Sequence, residues 1–262
     1  MEFAARALEW SAGLNHVPLM GFTFAILWLS FSAISSLAAV MNRPGWERLS
    51  LYLLDPLSKW VVFGFGLALY LFTVAWPQGQ GIAEVARGLG LSMDVDATMI
   101  VQASAALLLV WLAIAVAFYA LARLAGARLS RKASILQPQT PAEMGAFLFI
   151  LSPTAGILEE IVFRGALLAL FTGWQGGDVW AAALTTSILF GLGHAYQGLG
   201  GILATGIMGW TAAVSVILTG SLWPAIIAHT IYDMATVIIY RRAPDPWPWS
   251  EYFDLRKAER PF

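Results

Sequence analysis

The sequence predicts an all-α, polytopic transmembrane helical bundle, and three observations lead there. Hydrophobic residues make up 59% of the 262-residue chain and charged residues only 12%, about half the charged share of an ordinary soluble protein. The apolar residues fall in long blocks, without the stripe of a soluble helix or the alternation of a strand. The charges between blocks also segregate by sign, as they do in membrane proteins with a fixed orientation.

A spanning helix needs about 20 mostly apolar residues. The opening "MEFAARALEWSAGLNHVP" lacks a basic n-region and a small-residue cleavage site. It reads as a short interfacial helix rather than a cleaved signal, with His16 an interfacial residue. Three blocks follow at residues 18–41, 59–76 and 98–121. A fourth covers 142–171 and is interrupted by Pro153, and three more cover 179–196, 199–219 and 222–240. This gives seven spans, or eight if a break at Pro153 separates two passes. Residues 1–141 then form an N-terminal membrane region and 142–240 a membrane core. The Pro/Trp-rich tail at 241–262 is expected on the cytoplasmic surface.

The connection around Arg43, Arg48 and Lys59 is basic, as is that with Arg123, Arg128, Arg131 and Lys132, and Arg241 and Arg242 follow the last span. The segment 78–96 instead carries Glu84, Asp94 and Asp96 against Arg87. The positive-inside rule puts the N-terminus outside and the C-terminus in the cytoplasm, which seven spans satisfy. Trp46, Trp60, Trp76, Trp174, Trp180 and Trp223 lie near proposed span ends, as interfacial aromatics should. Asp55 and Lys59, four apart near such an end, read as a surface ion pair.

The net charge of −1 comes without a basic patch, so nothing points to nucleic acid. The absence of cysteine excludes disulfides, Cys–metal sites and a Cys nucleophile.

Ionisable residues within the blocks concentrate in the C-terminal half as three clusters: Glu159, Glu160 and Arg164; His194; and His229 with Asp233. Glu160 and Arg164 share a helix face and can pair. Glu159 lies about 100° away around the helix, without that partner. Phe190 and His194 share a face, and so do His229 and Asp233, so Asp233 could orient an imidazole. Each cluster also has a plain structural reading. The Glu–Arg pair could simply neutralise itself, and a lone His could bond across helices. Gly201, Thr205 and Gly209, at small-xxx-small spacing, read as packing contacts. Together, however, intramembrane carboxylates and imidazoles usually mark a pathway or a site.

In this order the clusters resemble the CPBP family of intramembrane proteases (CAAX proteases and bacteriocin-processing enzymes, or Abi family). Its EExxxR, FxxxH and HxxxN/D motifs read here as "EEIVFR" (159–164), "FGLGH" (190–194) and "HTIYD" (229–233). The likeness covers about 142–239, and the first three spans carry no matching motif. The resemblance implies a helical membrane protease with a polar catalytic cavity in the membrane. Its substrate would be a membrane-associated protein or peptide, lipidated or leader-bearing, and the chain would reside in the cytoplasmic membrane if it is bacterial. By position, Glu159 would activate water, Glu160 and Arg164 would support it, and His194, His229 and Asp233 would complete the site. A metal-free reaction is favoured, with zinc held by Glu159, His194 and His229 as the alternative.

Asp233 stands where the motif also allows Asn. An ionised Asp only accepts hydrogen bonds, so its expected role is to orient or charge a His or to share a proton with Glu159. Depth poses a further problem. Glu159 lies 16 residues, about 24 Å of helix, from Glu143, whereas His194 falls near the cytoplasmic end of its span. The two meet only if the helix breaks or tilts at Pro153 or the boundaries shift. A proton-coupled transporter and a non-catalytic scaffold or immunity protein are the rival readings.

Overall fold

The computed structural model describes residues 5, 46–92, 95–124 and 137–242. The expected interfacial helix, the span at 18–41, His16, Arg43, Asp94, Arg128, Arg131, Lys132 and the tail after Arg242 lie outside these residues. Among the described residues the chain folds as seven helices. α1 comprises Trp46–Tyr70, carried on by the π turn Leu71–Ala75 and the 3-10 turn Trp76–Gln78, and α2 is Ile82–Gly88. α3 is Ala97–Leu124, α4 is Pro141–Trp174, and α5 is Val179–Gly193. α6 is Gly198–Thr219 and α7 is Trp223–Arg242. The segments Arg48–Gln78, Ala97–Leu121, Pro141–Trp174 and Gly198–Thr219 are long and apolar enough to cross a membrane. This is a polytopic helical membrane protein.

Two expectations need correction. Pro153 does not divide the fourth block, so no eighth pass arises there. α4 runs unbroken for 34 residues, about 51 Å, well beyond a hydrocarbon core of about 30 Å. A proline removes one helical hydrogen bond and crowds the carbonyl one turn back. Here the π turn Phe147–Leu151 precedes it, and Ser152 Oγ donates to Phe147 O at 2.9 Å. A wide turn and a hydroxyl thus absorb the disturbance without a break. The other correction concerns α5, which ends at Gly193 after 15 residues, short of the expected span to 196. That is about 22 Å, less than the hydrocarbon thickness. The apolar part of α7, Trp223–Ile239, is likewise shorter than the four long segments.

The ends of these helices follow from sequence. Thr140 caps α4 by accepting from Glu143 N at 3.2 Å, while Glu143 Oε2 accepts from Gln139 N at 2.6 Å, and Pro141 occupies the first turn. Asp178 caps α5 by accepting from the amides of Trp180 and Ala181, both at 3.0 Å. The α4–α5 turn holds Gly176 and Gly177 at φ 66° and 94°, values that side chains resist. It reverses the chain within a few residues, so α4 and α5 run antiparallel.

α4 is the central element. Every residue from Ile161 to Leu170 is buried, as expected of a helix enclosed on all sides. α1, α5 and α7 pack on it, α3 packs on α6 and α7, and α6 packs on α5. Glycine sets two of the closest approaches. A Cβ on Gly156 of α4 would collide with Thr230 of α7, and one on Gly191 of α5 would lie 2.6 Å from Ile202 O and 3.1 Å from Gly206 Cα of α6. The α5–α6 contact therefore uses Gly206, and Gly209 packs against Phe190.

Hydroxyls in the apolar helices are satisfied locally. Ser104, Thr172, Ser187 and Thr205 each donate to the carbonyl four residues earlier, at 2.6 to 2.8 Å. Trp76, Trp174 and Trp180 are exposed near helix ends, as interfacial aromatics should be.

Candidate functional site

The buried carboxylate and guanidinium pair instead with ionisable side chains, because either group buried without a partner is too costly. Glu160 is 0% and Arg164 1% exposed. Arg164 Nη1 donates to Glu160 Oε1 at 3.2 Å, one turn away, as their spacing predicted. The same oxygen accepts from His229 Nδ1 of α7 at 2.7 Å. A carboxylate paired with a guanidinium can only accept, so Nδ1 carries the proton of this bond. The opposite nitrogen, Nε2, lies 3.7 Å from Asp233 Oδ2, an ionic contact rather than a hydrogen bond. Asp233 therefore shares a face with His229, but it is Glu160 that orients the ring.

Phe190 of α5 forms a platform beneath these groups. The Arg164 guanidinium lies 4.1 Å from its ring centroid, within cation–π range. The rings of His194 and His229 lie 4.7 and 6.1 Å away. Gly209 of α6 makes room for the arrangement, since a Cβ there would lie 2.7 Å from Arg164 Nη2 and 3.1 Å from Phe190 Cδ1. Arg164 sits in the π-helical stretch Ile161–Leu167, a widened geometry often found at functional sites.

His194 caps the C-terminus of α5. Its Nδ1 is 2.8 Å from Phe190 O, which only accepts, so Nδ1 is the donor and Nε2 of the neutral ring an acceptor. The depth problem resolves through the two helix lengths. Glu159 precedes the end of α4 at Trp174 by 15 residues, and His194 follows the start of α5 at Val179 by 15 residues. In an antiparallel hairpin those equal offsets, about 22 Å each, place the two residues at one height. The half-buried Glu159 carboxylate accordingly interacts electrostatically with His229, Lys59, His194 and Arg164. Asp233 interacts with His229, Glu159, Glu160 and Lys59.

The structure thus brings all six sequence-predicted residues into one electrostatic cluster. Two further contributors were missed. Trp111 of α3, 3% exposed, packs edge-on against His229 at 5.7 Å and donates to Thr211 Oγ1 at 2.8 Å. A tryptophan in an apolar block carries no signal of such a role. Lys59 of α1 was read as one end of a surface pair. The bond to Asp55 forms at 2.9 Å, but the two side chains are only 19% and 10% exposed. Among the described residues no three His, Asp or Glu side chains are arranged to hold a metal ion. Glu159, His194 and His229 do not form such a group.

Fold and site together define a helical membrane protein with a hydrogen-bonded ionic cluster that joins α4 and α7 and packs on Phe190 of α5. Residues 141–235 match the family described as type II CAAX prenyl endopeptidase Rce1-like, so the chain carries a CAAX-protease-like domain of the CPBP/Abi family. The match covers α4 to the middle of α7, a little over a third of the chain, and includes all six predicted site residues. The family is one of proteases. No curated protein and no solved structure matches the chain.

Proposed function

We propose that this protein is an intramembrane endopeptidase that hydrolyses a peptide bond of a membrane-associated substrate, lipidated or leader-bearing. One observation carries the reading: within the matched domain, Glu160 ties Arg164 and His229 into a single bonded unit while Glu159 remains outside it. Of two adjacent carboxylates, one is committed to structure and the other is available for proton transfer. Residues 142–240 form the catalytic core. The site opens through a water-filled cavity toward the cytoplasm, with the N-terminus outside and the C-terminus inside.

Glu159 takes a proton from a water molecule as its oxygen attacks the scissile carbonyl. The neutral His194 ring accepts from that water at Nε2 and aligns it, because its Nδ1 proton is engaged by Phe190 O. The charged form of His229 donates from Nε2 to the developing oxyanion, held in orientation by Glu160 as a buried carboxylate holds a catalytic imidazole. Asp233 faces the same nitrogen and balances its charge. The proton on Glu159 then passes to the leaving amine as the C–N bond breaks. No step requires a metal.

Glu159→Gln tests the reading by comparing the membrane peptidome of cells carrying the variant with that of wild type. A protease loses one or more cleavage products while the variant protein remains folded. Identical peptidomes would overturn the proposal, and a phenotype that persisted in the variant would favour the scaffold reading.

A further inference from the structure

α1 lies outside the matched domain, yet its inward face leads to the site. Tyr52 and Pro56 are fully buried, and Phe63 and Leu67 pack against the core. The spacing 52, 56, 59, 63, 67 is that of one helix face. Lys59 occupies the middle of this stripe, where a lipid-facing or surface lysine would not be.

Three contacts fix the register of α1 against α4. Arg48 Nε lies 3.7 Å from Glu143 Oε1, the Tyr52 and Phe147 rings are 5.6 Å apart, and Trp60 Nε1 donates to Thr154 Oγ1 at 3.0 Å. Residue numbers rise together along these pairs, so the two helices run parallel and Lys59 lies level with about residue 154. Glu159 lies five residues, about 7.5 Å of helix, further along α4. Lys59 interacts electrostatically with both Glu159 and Asp233.

We propose that Lys59 is a positioning residue of this site: its ammonium, steadied by Asp55, supplies the positive charge toward which the Glu159 carboxylate is held. The proposal rests on the endopeptidase reading above. The charged and titratable groups around Glu159 are Asp55 and Lys59 on α1, Glu160 and Arg164 on α4, His194 at the end of α5, and His229 and Asp233 on α7. Four carboxylates face two permanent cations and the charged form of His229, a formal charge of −1. Arg164 is already bonded to Glu160. Without Lys59 the balance becomes −2, and an ionised Glu159 loses its only permanent countercharge from outside α4 among the described residues.

The test uses the full chain in micelles and, as substrate, a peptide whose cleavage separates wild type from Glu159→Gln in the membrane peptidome. Lys59→Met is expected to lower kcat about ten- to a hundred-fold with KM within about two-fold. Its pH–rate profile is expected to move about one unit to higher pH. Lys59→Arg should restore kcat to within about three-fold and return the profile, which a merely space-filling role would not require. Wild-type kcat and profile in Lys59→Met would overturn the proposal, as would equal losses in the Met and Arg variants. If Lys59→Met does not fold, Lys59→Gln replaces it; failure of both with Lys59→Arg folded would assign the charge to structure and also overturn the proposal. Cleavage retained by Glu159→Gln would instead remove the endopeptidase reading on which the proposal rests.

Discussion

Arg164→Met removes one charge of a buried pair and leaves the other behind. Glu160 Oε1 holds Arg164 Nη1 at 3.2 Å and His229 Nδ1 at 2.7 Å, while Glu160 Oε2 and Arg164 Nη2 make no hydrogen bond among the described residues. At 3.2 Å and an effective dielectric constant of about 20, the attraction between the two charges is about 5 kcal/mol. Loss of the arginine therefore leaves a fully buried carboxylate dependent on one imidazole, and stability should fall by about 3–5 kcal/mol. Glu160→Gln strands the guanidinium in the same way and should lose a similar amount. The double variant Glu160→Gln/Arg164→Met has neither charge to strand and should lose less than either single one. The cycle should close with a coupling of at least about 3 kcal/mol, read from denaturant unfolding in mixed micelles. Additive losses would refute the claim that the pair neutralises itself.

Two further outcomes follow from the same geometry. Gly209→Ala places a methyl 2.7 Å from Arg164 Nη2 and 3.1 Å from Phe190 Cδ1. It should destabilise by about 1–3 kcal/mol through overpacking, whereas Gly64→Ala, with nothing within 4 Å of its Cβ, should be neutral or slightly stabilising in the same melting assay. Asp233→Asn leaves His229 oriented by Glu160 and should lower cleavage by about ten-fold or less while altering the pH–rate profile. Full activity with an unchanged profile would remove any role for the Asp233 charge.

The parts of this structure legible in the sequence are those governed by local rules. The apolar blocks at 98–121 and 199–219 became α3 and α6 with nearly the expected bounds, because length and hydropathy decide them. The Glu160–Arg164 bond followed from four-residue spacing within one helix. What the spacing could not supply was the partner of His229. Asp233 is its neighbour in sequence, but Glu160, 69 residues away, takes the hydrogen bond. That contact depends on α4 and α7 approaching closely at Gly156 and Thr230, and a glycine in an apolar helix does not announce which neighbour it admits. Lys59 was misread for a similar reason. Its four-residue spacing from Asp55 predicted the bond correctly, but the direction of the pair depends on which face of α1 meets α4. Whether Pro153 divides its block was open in the sequence, because a proline's effect on a helix depends on whether a wide turn can absorb it.

The depth problem shows why height in a membrane should be counted from a turn rather than from an assumed bilayer edge. Counting from Glu143 treats α4 as beginning where the membrane begins, and counting His194 to the end of its span treats α5 as crossing completely. Neither holds, since α4 is far longer than the hydrocarbon layer and α5 is shorter. The tight turn between them is the shared reference, fixed by Gly176, Gly177 and the Asp178 cap. From there, equal counts bring the proposed base and His194 level without a break in either helix. A short α5 is then not a defective span. Ending it at Gly193 puts a helix terminus, with His194 as its cap, at the height of Glu159. The same logic extends to α1: running parallel to α4, it can deliver Lys59 to that height from a segment that carries no motif.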